Sequence, residues 1–432
     1  MNADVRPIRT AAEMALADAF EAVRHRLPGD ADFDAARARA MDSVIAAGLP
    51  HRRIEQWKYT DLRTLMREIR AVAAPPTAAD IETAKDYAPQ FDGDTIVLVN
   101  GRVVPELSAC ELPEGVSAVY LGAALGGGKL AIADGVEGDF IRALNTAFVT
   151  DGVVLRVDAG VKLERPLHVA SVQVGEAAFA HTRVSLSLGE GAEAVLIESQ
   201  SGDDAAHQAT SVVDLDVAAG ATLAHVKVQD FGREAVALGA LQVRLGERSR
   251  FDTVGFSIGA AVGRQDVRLT FAGPHASAQV NAIALAGGRR HLDTTLVVDH
   301  LAPGCESREL LKTVLAGEAR AVYQGKIVVE PQAQKTDGKM MMRALMLSEG
   351  PEADMKPELE IFADDVVCGH GATAGAIDEE LLFYLRSRGI PEDEAQTLMV
   401  HAFLGEVLEA LPNEELRGAL SDRATVWLGE RG

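Results

Sequence analysis

Leu155-Arg-Val-Asp-Ala-Gly160, Leu186-Ser-Leu-Gly-Glu-Gly191 and Leu215-Asp-Val-Ala-Ala-Gly220 are three versions of one phrase, a short β run that closes in a glycine turn. Weaker echoes stand at Val243-Arg-Leu-Gly-Glu-Arg248 and Leu269-Thr-Phe-Ala-Gly273, each starting 26 to 31 residues after the last. A second β run follows the turn, as in Ala194-Val-Leu-Ile-Glu198 and Ala224-His-Val-Lys-Val228. No helix-length amphipathic pattern intervenes. A strand-only repeat of this length, punctuated by glycine, reads as stacked coils of a β-solenoid, because each unit buries its apolar face only against its neighbours. A β-sandwich with coincidental turn spacing is the competing reading. The pattern runs on through Thr294-Thr-Leu-Val-Val298, Gly325-Lys-Ile-Val-Val-Glu330 and Leu359-Glu-Ile-Phe362, over 200 residues in all and too many for one ordinary sandwich. The β-helix core is therefore expected over 150–376.

Helices flank it. Thr10 to Arg26 and Asp32 to Ala47 read as two helices broken at Leu27-Pro-Gly-Asp30, with Gly48 and Pro50 closing the second. Together with the charged segment around Trp57 and an Ala/Pro-rich stretch over 71–90, expected to be a loosely ordered connection, they form an N-terminal helical region and linker, 1–95. A β/loop lead-in occupies 96–149 and opens with a hairpin signal, Asn100-Gly101 between two β runs. From 377 to 432 the texture is helical. Asp378-Glu-Glu opens a segment that closes in Arg386, Arg388 and Gly389, Pro391-Glu-Asp-Glu394 starts a second helix, and Pro412-Asn-Glu-Glu-Leu416 a third. The expectation is a compact cap on the end of the solenoid, removable without unfolding it.

Composition excludes several functions. A net charge of −22 leaves no basic surplus for nucleic acid. Three cysteines, Cys110, Cys305 and Cys368, are odd in number and far apart, which is no disulfide framework and suggests a reducing compartment. The first residues lack the apolar core of a signal peptide, and no run approaches the roughly 18 apolar residues of a membrane span. A cytoplasmic protein without membrane contact is expected. No Gly-x4-Gly-Lys-Ser/Thr phosphate loop occurs, so the chain is not itself an ATPase. A β-helix carbohydrate enzyme would need paired carboxylates on one face. Asp364 and Asp365 are adjacent and, on a strand, would point to opposite faces. The chain reads as non-catalytic.

The chemistry-bearing stretch is Glu358-Leu-Glu-Ile-Phe-Ala-Asp-Asp-Val-Val-Cys-Gly-His-Gly-Ala-Thr373. On a strand, Cys368 and His370 lie two residues apart and share a face. Thiolate and imidazole suit iron, copper or zinc. The alternative is a small buried cysteine beside a satisfied histidine. The pair lacks the four-ligand spacing of a self-contained cluster site, so further ligands would have to come from another chain. Cys305, near His300 on a Pro-Gly loop, is a weaker candidate, and Cys110 reads as inert.

Four segments in order, Ala333-Gln-Lys-Thr-Asp337, Lys356-Pro-Glu-Leu-Glu-Ile361, Asp364 to Thr373, and Leu382-Phe-Tyr-Leu-Arg-Ser-Arg-Gly-Ile390, resemble the SufB/SufD family of iron–sulfur cluster assembly scaffolds. Arg52 to Leu62, with its Glu-Gln-Trp-Lys-Tyr-Thr core, and the chain length are most like the SufD branch. The resemblance implies a right-handed parallel β-helix and a complex with a SufB-type homologue and a SufC-type ABC ATPase. It places His370, with Cys368 as a further candidate, as a ligand for iron or a nascent cluster where the SufB-type chain meets this one. It also implies ATPase docking on the C-terminal helices, with Leu382, Phe383, Tyr384, Arg386, Arg388, Glu392, Asp393 and Glu394 as candidates and Glu406 on the same acid-rich face. No tightly bound cofactor is implied for the chain alone, only a transient iron–sulfur cluster in the complex. A flavin and a homodimer of the isolated chain stay open. The run Gly338-Lys-Met-Met-Met-Arg-Ala-Leu-Met346 is more apolar than the family's usual Asn-containing one. A structural solenoid with no metal role is the alternative.

Overall fold

The computed structural model describes residues 9–89, 91–126 and 139–430. The first seven residues, read above for a targeting signal, and Gln90 of the connection lie outside them.

The chain begins with α1 (Ala11–Val23) and α2 (Ala31–Ala47). Thr10 and Glu13 form a reciprocal capping box, and Asp30 accepts from the Phe33 amide to start the second helix. Gly48, at φ 70°, ends it. A short α3 (Leu62–Leu65) follows. The stretch expected to be loosely ordered instead contains α4 (Ala78–Ala84), because Thr77 and Asp80 make a second capping box. Ala84, with Ile81 and Ala88, packs on Val97, Ala170 and Val172.

The strands come next: β1 (Asp94–Val99), β2 (Arg102–Val103) and β3 (Val116–Tyr120), then helices α5 (Leu121–Gly126) and α6 (Phe140–Phe148). After them run β4 (Asp151–Val157), β5 (Leu167–Gln173), β6 (Phe179–Leu188), β7 (Glu193–Gly202), β8 (Gln208–Val217), β9 (Thr222–Asp230), β10 (Val236–Leu245) and β11 (Arg250–Ser257). The series closes with β12 (Val262–Phe271), β13 (Ser277–Ala286), β14 (His291–His300), β15 (Glu306–Leu315), β16 (Arg320–Val329), β17 (Asp337–Met346), β18 (Glu352–Ile361) and β19 (Val367–Ala376). From β4 on, alternate strands join two facing sheets, an even one ending in β18 and an odd one ending in β19, with every pair parallel. This is a β-solenoid of about eight turns. The repeat read from sequence is its register: Leu155, Leu186, Leu215, Val243 and Leu269 are Cα partners on successive even strands. All five are turned into the lumen and belong to the continuous core cluster together with Leu223, Phe251 and Leu296.

The hairpin at Asn100-Gly101 forms with both residues at positive φ, 49° and 78°, as a two-residue turn requires. Its first strand, β1, also pairs in parallel with β5 and so starts the odd sheet.

The helices of 377–430, α7 (Glu379–Ser387), α8 (Glu392–Leu408) and α9 (Glu414–Glu430), do not cap the end of the solenoid as expected. α8 and α9 lie along the outer face of the odd sheet, where Val400, Leu404, Trp427 and Leu428 cover Val226, Val254, Phe256 and Ile283. The reason is the apolar character of both alternations in these strands, which leaves an outward face that must be buried. Removing residues 377–432 would expose it, so the cap is not dispensable. On the opposite side α1, α2 and α6 cover Phe179, Val212, Leu238 and Ala240 of the even sheet. Among the described residues no helix is long and apolar enough to cross a membrane.

Candidate functional site

The stretch from Glu358 to Thr373 is two strands, β18 and β19, joined by a turn at 362–366. Asp364 and Asp365 sit on that turn rather than on a strand, and Asp365 pairs with Lys335 of the turn one coil below. The segment Ala333 to Asp337 forms that lower turn, held by Thr336 Oγ1 donating to Ala333 O at 2.8 Å. Pro357 occupies β18, whose only strand partner among the described residues is β16, which makes β18 an edge strand, where proline is tolerated.

Cys368 and His370 are the second and fourth residues of β19. β19 continues six residues beyond His370 to Ala376, because glycines 369 and 371 keep an extended backbone here. The two side chains share the lumen-facing register, Cys368 opposite Gly338 and His370 opposite Met340, which is buried in the core. Among the described residues β17 is the only strand bonded to β19, so its other edge is unpaired there. His370 is exposed, and no hydrogen bond to its ring is found among the described residues. Cys368 is half-buried; burial, with the nearby carboxylates of Asp337 and Glu309, pushes its thiol up and keeps it protonated until something displaces the proton. Gly338 between Cys368 and Ser307 leaves that column free of side chain.

Beneath the pair lies a residue not singled out from sequence. Glu309 is the Cα partner of Met340, is buried, and has no hydrogen-bond partner for either carboxylate oxygen. Burial pushes its carboxyl up to about 8. Only the inward register of β15 reveals it, since Ser307, Glu309 and Leu311 alternate in a strand whose sequence looks amphipathic the wrong way round. Nearby, His300 stacks on Phe271 at 4.3 Å and contacts Ser307 Oγ at 3.1 Å. Cys305 is fully buried and donates to Gly273 O at 3.4 Å, so it is packed rather than presented. Cys110 is half-buried, its thiol pushed up by burial and by Asp94.

The docking candidates gather on α7 and the start of α8. Phe383 is 73% exposed and Tyr384 52% exposed, with Leu382 and Leu385 half-buried behind them. Arg388 lies over the Tyr384 ring at 5.1 Å, and Arg386 pairs with Glu392 at 3.2 Å. Glu392, Asp393 and Glu394 form the exposed first turn of α8, where the helix dipole favours acids. Glu406, further along the same helix, also holds Lys312 of the odd sheet at 2.9 Å and so ties α8 to the solenoid.

The Glu55-to-Thr60 segment has a structural part. Trp57 is buried under the Arg264 guanidinium at 3.8 Å, and Gln56 O accepts from Arg264 at 2.9 Å and from Gln324 at 3.0 Å. Thr60 donates to Asp293, and Lys356 reaches Glu55. These contacts clamp the N-terminal layer onto the even sheet from β12 to β18.

Family models for the SufBD protein N-terminal region and for the SUF system FeS cluster assembly SufBD core domain match residues 12–169 and 171–403. The iron–sulfur cluster assembly protein SufD of Escherichia coli is 33% identical over 87% of this chain and 89% of its own length. A SufBD family protein of Synechocystis is 28% identical over 94% and 97%, and the chloroplast protein ABCI7 of Arabidopsis thaliana 26% over 88% and 83%. With a two-sheet parallel solenoid beneath matches that span nearly its whole length, the chain belongs to the SufBD family of iron–sulfur cluster assembly proteins and is SufD-like.

Proposed function

We propose that this chain is a non-catalytic, cytoplasmic scaffold subunit that pairs with a SufB-type chain through the open end of its solenoid, and that His370 supplies one ligand to iron or a nascent cluster there. The observation that carries the reading is the position of His370 and Cys368 on β19, the one place in the odd sheet where a soft donor pair meets an unpaired strand edge. Free N–H and C=O groups on such an edge are a template for another chain. Around it Ile361, Phe362 and Val367 are exposed, an apolar rim that a partner would bury. Two donors leave a cluster incomplete, so the partner contributes the rest. An imidazole among them holds iron less firmly than a full thiolate set, which suits a site that must release its cargo.

The exposed aromatic pair on α7 and the acidic first turn of α8 are the surface offered to a SufC-type ATPase. Without its partner, the same solenoid edge would pair with a second copy of the chain.

The structural-solenoid reading has one observation in its favour: among the described residues no three His, Cys, Asp or Glu side chains are placed to hold a metal. Co-expression with SufB- and SufC-type chains, followed by sizing and anaerobic iron and sulfide titration, separates the two. A ternary complex that develops cluster absorption supports the scaffold. A complex that assembles and never acquires iron supports the structural reading.

A further inference from the structure

A pocket of about 860 Å³ lies between the N-terminal layer and the outer face of the even sheet. Residues 54–57 and the first turn of α6 form its walls, and outward positions of β10, β12, β14, β16 and β18 its floor. That volume falls within the usual range of small-molecule sites, about 300–1,000 Å³. The lumen cavity around Lys227 and Gln265, about 60 Å³, holds a few waters at most.

The deep end of the pocket contains donors that lack acceptors. Arg142 is 3% exposed, and its Nη2 pairs with Asp214 at 2.7 Å, while Nε and Nη1 have no hydrogen-bond partner. Asp139 stands 3.9 Å from Nε, too far to accept. Asp266 Oδ1 lies 2.8 Å from Arg264 but out of line for a hydrogen bond. Burial, opposed by Arg264 and reinforced by Asp139 and Asp293, pushes the Asp266 carboxyl up to about 7, so it carries a proton for part of the time near neutrality. Arg264 itself is committed to Trp57, Gln56 and Asp293. Buried donors without acceptors are costly, and a ligand that brings acceptors relieves the cost.

We propose that this pocket binds an anionic small molecule whose phosphate or carboxylate group is received by Arg142. Lys326 and Arg268 on the floor, now paired with Glu360 and Asp299 at 2.7 and 2.8 Å, supply further contacts nearer the mouth. The pocket belongs to the even sheet and His370 to the odd one, so the proposal stands apart from the ligand reading of His370.

The test titrates the full chain with inorganic phosphate, AMP and citrate, read by calorimetry and by the rise in unfolding temperature. Saturable binding of at least one is expected, with phosphate or AMP identifying a phosphate site and citrate alone a carboxylate site. Arg142→Gln weakens it by about tenfold or more, the scale of one lost charge-assisted hydrogen bond. Because Arg142 also holds Asp214, Val297→Trp is measured in parallel: it fills the pocket from the floor, leaves Arg142 in place and abolishes binding. No saturable binding to the wild type, undiminished binding in a folded Arg142→Gln, or binding that survives Val297→Trp overturns the proposal.

Discussion

Coils in the middle of the solenoid and the coil that ends it obey the same register, yet their surroundings differ completely. In β9 and β11 the inward Leu223 and Phe251 fill the lumen while the outward Val226 and Phe256 lie beneath α8 and α9. In β18 and β19 no residue is fully buried. The strands are no shorter and keep the parallel register; what is missing is a neighbour on the second edge. Stability therefore resides in the doubly covered middle, and recognition at the end where stacking stops.

The sharpest way to break this comparison is one truncation made twice. Phe256→Ala, in the covered middle, costs about 3–5 kcal/mol as a buried aromatic lost from under a helix. Phe362→Ala, on the terminal turn and 60% exposed, costs within about 0.5 kcal/mol. Denaturant unfolding measures both; equal costs would mean the last coil is as much part of the core as the middle.

Glu309 tests where the covered interior ends. Its carboxyl is raised from 4.5 to about 8 by burial, so the folded state holds the proton more tightly than the unfolded. Stability linked to it is complete below about pH 4.5 and is lost as pH rises through about 8. Glu309→Gln, which stays neutral, flattens that decline, by on the order of 3 kcal/mol between about pH 5 and about pH 8.5. Identical pH profiles for variant and wild type would show that the lumen under His370 is open to water.

A smaller effect belongs to the middle. A Cβ at Gly239 would stand 2.1 Å from the Gln265 side-chain oxygen inside the lumen. Gly239→Ala therefore costs about 1–3 kcal/mol through overpacking, as read by thermal unfolding. A neutral outcome would mean that Gln265 has room to turn.

Much of this was legible in sequence because it is written locally. The repeat lies in Leu and Val positions two apart closed by glycine, and the helix starts in Thr10 and Asp30. The hairpin lies in Asn100-Gly101, the donor pair in the spacing of Cys368 and His370. What was missed depends on partners distant in the chain. Val226 and Phe256 look like any strand residues until α8 and α9 lie across them, so those helices were expected at the solenoid's end. Glu406 reads as one more helix acid until Lys312 meets it. The turn at 362–366 hid because Phe362-Ala-Asp-Asp-Val366 has no glycine or proline to mark it. Arg142, paired with Asp214 through one nitrogen only, is legible only once β8 and α6 are side by side.

The central claim is that the open end of the stack serves the cluster and not the fold, and His370→Ala in the complex with SufB- and SufC-type chains tests it most directly. The measurement is cluster absorption per complex during anaerobic reconstitution, alongside the unfolding midpoint of the variant chain. The account predicts a midpoint shifted by no more than about 0.5 kcal/mol, as for an exposed side chain, an intact complex, and a sharp fall in cluster formed. A variant complex that matures clusters at the wild-type rate, or a chain that unfolds for want of the imidazole, would contradict it.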